Sequence, residues 1–322
     1  MSKTRAVAVL ALVASLAVVA VWTSGATAKP AASQAGSATI QLGFITKFPV
    51  DFFFVLQNAA KKWDKGHKDA TVIFAQGKSA TDDAGEIAAI QDMVAKGVKG
   101  IAITPTSPAV SKELDKAIKK GVKVVLLDND IPAWKNKSSV VATNNYKGGT
   151  LAGKYLATKL KPGDSLGILE GVPGVPALDD RVNGMLAGLG ALKSQIEIVQ
   201  KLETDCAQDK GLTAAQDILT ANPDVTAIYA ACGPPALGAV QALKNAGKTA
   251  GDIILVGFDA LPDEVAQVKA GWETASVAQF PAKIGLLGID TLYKVVKGKK
   301  VPKNVDTGTA LVTKANAAKF GG

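Results

Sequence analysis

The sequence predicts an α/β protein of two lobes, each built on a parallel β-sheet with helices on both faces. Its 322 residues are enough for two domains. A composition of 48% hydrophobic residues, 5% aromatic residues and 32 glycines is typical of a packed α/β protein. From Ala38 onward, short apolar runs alternate with helical stretches, which indicates parallel strands covered by helices.

The first half of the chain contains four predicted strands and three predicted helices. The strands are Thr39–Ile45, Thr71–Phe74, Gly100–Ile103 and Lys123–Leu127, and the helices are Val55–Lys65, Gly85–Ala95 and Ala109–Lys120. Gly97 and Gly121 follow two of these helices, at the position where a left-handed residue commonly ends a helix.

The second half repeats this arrangement after Thr143. Its predicted strands are Leu166–Leu169, Ile196–Gln200, Ala227–Tyr229, Ile253–Val256 and Thr274–Ala278, with helices near Lys147, Asp179, Lys210, Ala236 and Asp263. Asp128 and Asp259 occupy matched places, each at the carboxyl end of an apolar strand. Parallel sheets bind ligands at that edge, so the pair predicts a shared cleft. For either aspartate alone, a turn or a helix cap is the alternative.

The first 28 residues have the pattern of a cleaved secretory signal. Lys3 and Arg5 give a basic start, residues 6–21 are apolar, and Ala-Thr-Ala at 26–28 is a cleavage site. A retained membrane anchor is the alternative, but the apolar run is short for a span. No cysteine lies near the cleavage site, so we expect no lipid anchor. After a polar linker over 29–37, the protein should be soluble and periplasmic.

The charge of the chain does not indicate nucleic-acid binding. Two of the 37 basic residues belong to the signal, so 35 remain against 28 acidic residues and the net charge is +7. The lysines are scattered and no basic tract is interleaved with aromatic residues, which is typical of a solvated surface.

The sequence has no recognisable catalytic or metal-binding pattern. His67, its only histidine, lies in a "KGHKD" turn where an exposed loop residue is expected. No Cys/His cluster has metal-ligand spacing, neither cysteine has a histidine base, and no nucleotide-binding glycine motif occurs. We therefore expect no enzyme, no metal and no cofactor, but the capture of a small polar molecule.

Seven stretches carry a resemblance to a known family. They are "FFFVLQNAAKKW", "ITPTSPAV", "VVLLDND", "NNYKGGTLAGKYL", "NPDVTAIYAACGPPALGAVQALKNAG", "VGFDALPDE" and "SVAQFPAKIG". In this order they resemble the type I periplasmic solute-binding proteins of sugar ABC transporters, most closely the ribose-binding branch. The resemblance covers almost everything after the signal.

The resemblance implies two Rossmann-like lobes joined by a hinge of three strands, which close over a ligand. The N-terminal lobe would be 38–143 with 280–306, and the C-terminal lobe 144–279 with 307–322. The implied hinge residues are Thr143, Asn144, Gln279 and Phe280.

The resemblance also implies partners. An inner-membrane ABC permease would recognise the closed form of a monomer, and a chemoreceptor or sensor kinase is the alternative receptor. An enzyme using the same cleft is disfavoured by the missing catalysts. The sensor core of a lac-repressor-like transcription factor is disfavoured by the signal and by the missing DNA-binding headpiece.

Site residues follow from the matched positions. Phe52 and Phe53 would stack on the apolar face of a sugar, with core packing as their alternative, while Phe54 would pack within the first helix. The remaining ligand-binding positions are Thr46, Thr104, Asp128, Asn129, Arg181, Cys232, Asp259 and Gln279. For Arg181 the alternative is a surface salt bridge.

Four positions depart from the ribose-type pattern. Val50 and Cys232 replace amides, Asn129 replaces an arginine, and Cys206 replaces an aromatic residue. Unmatched buried hydroxyls cost about 1–3 kcal/mol each, so the ligand should not be D-ribose but a different pentose, a polyol, a cyclitol or another small hydroxylated compound. Trp134 offers a replacement aromatic plate, or is a surface-loop residue.

The two cysteines replace positions on the same side of the pocket. Cys206 and Cys232 are the only cysteines of the chain, and export makes a disulfide between them available. The bond would remove two ligand contacts and reshape that wall. The alternative is two separately buried thiols.

Overall fold

The computed structural model describes residues 39–320. The predicted signal and linker lie outside the described residues. Between residues 39 and 320, no helix combines the length and apolar character that a membrane span requires.

Twelve strands occur in residues 39–320. In chain order they are β1 (Ile40–Thr46), β2 (Ala70–Gln76), β3 (Gly100–Ile103), β4 (Lys123–Leu127), β5 (Ser139–Ala142), β6 (Ser165–Glu170), β7 (Glu197–Glu203), β8 (Ala227–Ala230), β9 (Ile254–Asp259), β10 (Ala275–Ala278), β11 (Asn304–Asp306) and β12 (Ala310–Thr313).

Nine α-helices occur in the same residues. They are α1 (Asp51–Gly66), α2 (Asp83–Ala95), α3 (Ser111–Lys119), α4 (Asn145–Ala157), α5 (Pro176–Gly188), α6 (Gln208–Ala221), α7 (Gly233–Asn245), α8 (Pro262–Ala270) and α9 (Pro281–Val296). Short 3-10 turns lie at Pro108–Val110, Gly190–Ser194 and Ala317–Lys319.

The first lobe is built on a sheet of six parallel strands in the order β11-β5-β4-β3-β1-β2. Alternate residues of a strand face opposite sides, so Val125 packs toward α1 and α9 while Val124 packs toward α2 and α3. Both faces are therefore apolar, which explains the continuous hydrophobic runs in the sequence.

The second lobe repeats this plan with the order β12-β10-β9-β8-β6-β7. Its edge strand β12 is antiparallel to β10, and the other neighbouring pairs are parallel. Helices α4 and α5 cover one face of the sheet, and α6 and α7 cover the other. The predicted fold class of two parallel-sheet lobes flanked by helices is confirmed.

The chain crosses between the sheets after β5, after β10 and after β11. Two of these crossings lie side by side, because the Thr307 amide donates to the Ala142 carbonyl at 3.0 Å. The Thr143 and Thr307 hydroxyls are 3.4 Å apart. Asn144 ends the first crossing by capping α4 through the Lys147 amide, and Phe280 precedes α9 at the second.

The first helix begins at Asp51, four residues before the predicted start. An acidic residue in the first turn favours a helix N-terminus. Phe52 and Phe53 thus lie on the helix with their side chains buried, whereas Phe54 is 42% exposed. The expectation that Phe54 packs inward is wrong, because three consecutive helical residues cannot face the same side.

Candidate functional site

A cavity of about 640 Å³ lies between the two lobes, where the central strands end. Its size is typical of small-molecule sites. The first lobe contributes Lys47, Phe52, Phe53, Asp128 and Asn129, and the second contributes Arg181, Cys206, Cys232, Asp259 and Gln279. The structure thus brings all the predicted ligand-binding residues to one cavity except Thr46 and Thr104.

The two matched aspartates share an unusual backbone conformation. The φ angle is 60° at Asp128 and 104° at Asp259, in the region that glycine favours. Such conformations persist where the surroundings hold them, and they cluster at functional sites. The Asp128 amide is held by the Val141 carbonyl at 2.9 Å. Both side chains face the cavity from the end of a strand.

The carboxylate of Asp259 is fully bonded within the protein. Its Oδ1 accepts from Arg181 Nη1 at 3.2 Å and from Gln279 Nε2 at 2.6 Å, and its Oδ2 accepts from the Gly233 amide at 3.0 Å. The Gly233 amide belongs to the first turn of α7, where a negative charge is favourable.

The guanidinium of Arg181 is fixed from several sides. Its Nε donates to Asn145 Oδ1 at 2.9 Å, and its Nη1 also donates to the Ala231 carbonyl at 2.8 Å. The group lies 4.1 Å from the centre of the Phe258 ring. Arg181 is 4% exposed, so it is a buried cavity residue rather than a surface salt bridge.

Asp128 and Lys47 are the buried charged residues of the first lobe's wall. Asp128 is buried, and its Oδ1 has no hydrogen-bond partner among residues 39–320. Burial raises the pKa of Asp128, although Arg181 and Lys47 oppose this shift. Burial also lowers the pKa of Lys47, against the attraction of Asp128 and Glu86. Beside them, the Asn129 side chain donates to the Pro105 carbonyl at 3.1 Å.

Aromatic rings line one side of the cavity. The rings of Phe52 and Phe53 meet edge to face with centroids 5.2 Å apart, and Phe48 meets Phe53 at 5.3 Å in the same manner. Both alternatives for Phe52 and Phe53 therefore apply, because these side chains belong to the first lobe's core and also line the cavity.

A disulfide forms part of the opposite wall. Cys206 and Cys232 are bonded, with Cα atoms 5.5 Å apart, inside the usual range for a bridge. The pair packs with Val172, Val175 and Leu178 in a small apolar cluster. This part of the cavity wall is therefore apolar.

Two predicted contact residues lie behind the cavity rather than on its lining. The Thr46 hydroxyl accepts from Gln57 Nε2 at 2.7 Å and from Gln76 Nε2 at 3.2 Å. The Thr104 hydroxyl is buried without a partner in the described residues. A direct contact of either threonine with a ligand stays a prediction.

Two further expectations concern single rings. The Trp134 ring neither lines the cavity nor lies on the surface. It packs in the core of the first lobe, and its Nε1 donates to Asp115 at 2.8 Å. His67 is half-buried, because its ring stacks on Trp63 at 3.6 Å, away from the cavity.

Sequence reasoning missed Lys47 as a cavity residue. It directly follows β1, so the rule that parallel sheets bind ligands at their carboxyl edge applies to it as well as to the aspartates. In residues 39–320, no group of three or more histidine, cysteine, aspartate and glutamate side chains is placed to hold a metal ion.

Comparisons with known proteins agree with this architecture. A family model described as the periplasmic binding protein domain matches residues 42–300. A ribose import binding protein of Escherichia coli is 36% identical over 265 residues, covering 82% of this chain and 86% of that protein. A D-allose-binding periplasmic protein of Escherichia coli is 35% identical over 231 residues, covering 69% and 74%.

Solved structures show the same similarity. An ABC transporter solute-binding protein of Mycobacterium smegmatis with bound glycerol superposes with a TM-score of 0.82 at 30% identity, covering 88% of this chain and 98% of that one. A solute-binding protein of Burkholderia graminis in complex with D-arabinose superposes with a TM-score of 0.82 at 27% identity, with the same coverage.

The matched domain spans most of the chain, and the relatives are binding components of transporters rather than enzymes. The chain therefore belongs to the type I periplasmic binding proteins, in the group of sugar-binding solute-binding proteins of ABC transporters.

Proposed function

We propose that this protein captures a small hydroxylated molecule, a sugar, polyol or cyclitol, between its two lobes. The closed form then delivers the ligand to an ABC permease in the inner membrane. In this proposal the chain is exported to the periplasm through cleavage after residue 28, without a lipid anchor, and acts as a monomer. The hinge residues are Thr143, Asn144, Gln279 and Phe280.

One observation carries the ligand class. Asp128 Oδ1 and Gln279 Oε1 are buried hydrogen-bond acceptors without partners in the described part of the chain, and both residues line the cavity. Buried acceptors normally have a partner, and hydroxyl groups are suitable donors. The phenylalanine rings and the disulfide wall supply apolar surfaces for the C–H face of such a molecule.

The ligand we expect is not D-ribose, even though ribose-binding proteins are among the relatives. Compared with the ribose-type pattern that the resemblance implies, the chain has Val50 in place of an amide, Asn129 in place of an arginine, and a disulfide at two further positions of the pattern. Each unmatched hydroxyl of a ligand costs affinity. D-allose and D-arabinose, which are bound by structural neighbours, are the first candidates to test.

Calorimetry and thermal unfolding test the proposal. The protein, unfolded and refolded to remove any retained molecule, is titrated with D-ribose, D-allose, D-arabinose, D-fucose, glycerol and myo-inositol. We expect at least one compound to bind with a free energy of about −8 kcal/mol or better and to raise Tm. No response to any of them would contradict the ligand class. Presentation of the closed form to a chemoreceptor or sensor kinase is the alternative role.

A further inference from the structure

Two glutamates are buried side by side in the second lobe. Glu264, in the first turn of α8, and Glu273, just before β10, are each 1% exposed. A Cβ atom at Gly257 would collide with Oε1 of Glu273 and would lie 3.1 Å from Oε1 of Glu264, so the two carboxyl groups meet beside this residue of β9. Two ionised carboxylates buried this close together would be costly in free energy.

The two carboxyl groups differ in their hydrogen-bond partners. Glu264 accepts through Oε1 from the Ser276 hydroxyl at 2.9 Å and through Oε2 from the Leu261 amide at 3.1 Å. Neither oxygen of the Glu273 carboxyl group has a hydrogen-bond partner within residues 39–320. If one of the two carboxyls keeps its proton, it can donate a hydrogen bond to the other, which gives Glu273 a partner.

The charged groups around the pair do not neutralise it. No lysine or arginine in the described part of the chain forms an ion pair with either glutamate. Burial raises the pKa of both glutamates well above its usual value, and the negative charge of Asp259 raises it further. The elements packed around the pair otherwise carry exposed charges, at Lys244, Asp263, Lys269, Lys314 and Lys319.

Glu264 connects the pair to the cavity, because it lines the wall next to Asp259. Its Oε2 comes so close to Gly233 that a Cβ atom there would collide with it, and the Gly233 amide donates to Asp259 at 3.0 Å. The Ser276 hydroxyl that donates to Glu264 also accepts from the Ala260 amide at 3.2 Å. A change in the charge of the pair therefore acts on the segment that positions Asp259.

We propose that Glu264 and Glu273 hold a proton between them and form a pH-sensitive device that controls ligand affinity. With the proton in place, one carboxyl donates to the other and the pair carries at most one negative charge. Release of the proton to solvent as pH rises leaves two buried negative charges beside Asp259, which repel one another and loosen the segment that carries it.

The inference rests on the proposed function, because the device acts on the affinity for the captured molecule. A ligand in the cavity removes water from the Glu264 side of the pair, and this desolvation favours the protonated form. By linkage, the protonated protein binds the ligand more tightly, so affinity should fall as pH rises.

Thermal unfolding without any ligand tests whether the pair holds a proton. Both pKa values are raised in the folded protein, so the contribution of the pair to stability is complete below the usual glutamate pKa of about 4.3 and is lost as pH rises through the raised values. Glu273→Gln keeps the size of the side chain without a charge. Its Tm minus that of the wild type should increase by about 3 °C or more from about pH 5 to about pH 9.

The matched control is Glu197→Gln, at an exposed residue outside the cavity lining, which should show no such increase. Carbon-13 NMR of glutamate-labelled wild type covers the case in which Glu273→Gln does not fold. It should show a carboxyl group of the pair that keeps its proton at about pH 6, where ordinary glutamates are ionised. Burial also raises the pKa of Glu86 to about 7, so Glu264→Gln and Glu86→Gln assign the resonances.

Calorimetry tests the effect on binding. The probe is whichever compound among D-allose, D-arabinose, D-fucose and D-ribose the wild type binds most tightly at about pH 6. We expect the Kd of the wild type to rise about tenfold or more from about pH 6 to about pH 9, and that of Glu273→Gln to rise less than about threefold.

A Tm difference that is the same at every pH would overturn the inference, as would ionisation of both carboxyl groups below about pH 5 in the NMR titration. A wild-type Kd that does not change with pH would overturn the control of affinity and leave the proposed function intact. If the wild type bound none of the probes, the proposed function would fail and the control of affinity would fall with it.

Discussion

Asp128 and Asp259 end equivalent strands in the two lobes, but their surroundings differ. Asp259 is bonded to Arg181, to Gln279 and to the first turn of α7. Asp128 keeps an unpaired oxygen next to a buried lysine that has no ion-pair partner in the described residues. Both residues are 7% exposed, so the contrast comes from hydrogen bonding and not from burial.

This contrast indicates a division of roles between the lobes. In the second lobe the arginine and the aspartate are bonded to each other and to neighbouring groups, so their positions are fixed before a ligand arrives, and among the cavity-lining acceptors of this lobe Gln279 Oε1 is left without a partner in the described residues. The first lobe presents charged groups whose partners a ligand would supply. A ligand in the cavity would therefore gain binding free energy from the first lobe, because it would form hydrogen bonds with Asp128 and Lys47, which are otherwise buried without partners among the described residues.

The largest effect on stability should come from breaking the buried ion pair of Arg181 and Asp259. Asp259→Ala leaves the buried Arg181 guanidinium without its carboxylate, which should lower the free energy of unfolding by about 3–5 kcal/mol. Binding of D-allose or D-arabinose should weaken by about 2 kcal/mol or more. Urea unfolding and calorimetry measure both quantities.

The matched control is Asp224→Ala, at an exposed residue outside the cavity lining. This variant should leave the free energy of unfolding and the affinity nearly unchanged. Wild-type stability in Asp259→Ala would contradict the claim that Asp259 stabilises the buried Arg181 side chain in the second lobe.

The disulfide should have the next largest effect, also confined to the second lobe. The bond joins residues separated by 26 positions, so its loss should lower stability by roughly 3 kcal/mol in the chain-entropy model. The double variant Cys206→Ser with Cys232→Ser tests this by urea unfolding. A thiol count on denatured, unreduced protein from an oxidising compartment should find no free thiol, and two free thiols would refute the bridge.

Asp128→Asn should separate binding from stability. The substitution removes a charge that is buried with an unpaired oxygen, so the free energy of unfolding should stay the same or rise. The affinity for the best-bound sugar should fall by about 2 kcal/mol. A loss of stability as large as that of Asp259→Ala would remove the difference between the lobes.

The pH dependence of stability gives the smallest effect. The pKa of Asp128 is raised in the folded protein, so its contribution to stability is complete below the usual pKa of about 3.9 and is lost as pH rises through the raised value. The Tm of the wild type minus that of Asp128→Asn should therefore decrease as pH rises from about 4 to about 7. Glu264 and Glu273 also have raised pKa values, but they are present in both proteins and cancel. A pH-independent difference would contradict this assignment.

The sequence predicted the repeating fold and the two aspartates, because buried parallel strands leave continuous apolar runs and each run ends at the aspartate. It did not predict β5, α9 or the two short strands β11 and β12 as elements. β11 and β12 have only three and four residues, too few to show an alternation of apolar and polar residues. The start of α1 was missed because the helix begins at Asp51 with a run of aromatic residues.

The polar details of the cavity were harder to predict. The sequence correctly placed Thr46 at the end of β1. Its hydroxyl, however, accepts hydrogen bonds from Gln57 in α1 and Gln76 in β2, which the sequence did not predict. Lys47 looks like any other lysine in the sequence, and only the assembled fold shows that it is buried in the cavity wall. Such properties arise from long-range packing, which no local pattern contains.

Small-angle X-ray scattering tests the central claim, that a ligand is held between two lobes that close on it. The refolded wild-type protein is measured alone and saturated with the sugar that calorimetry shows to bind most tightly, with Asp128→Asn at the same sugar concentration as the control. We predict that the radius of gyration of the wild type decreases on saturation and that Asp128→Asn contracts less. Tight binding of that sugar without any contraction of the wild type would contradict the account.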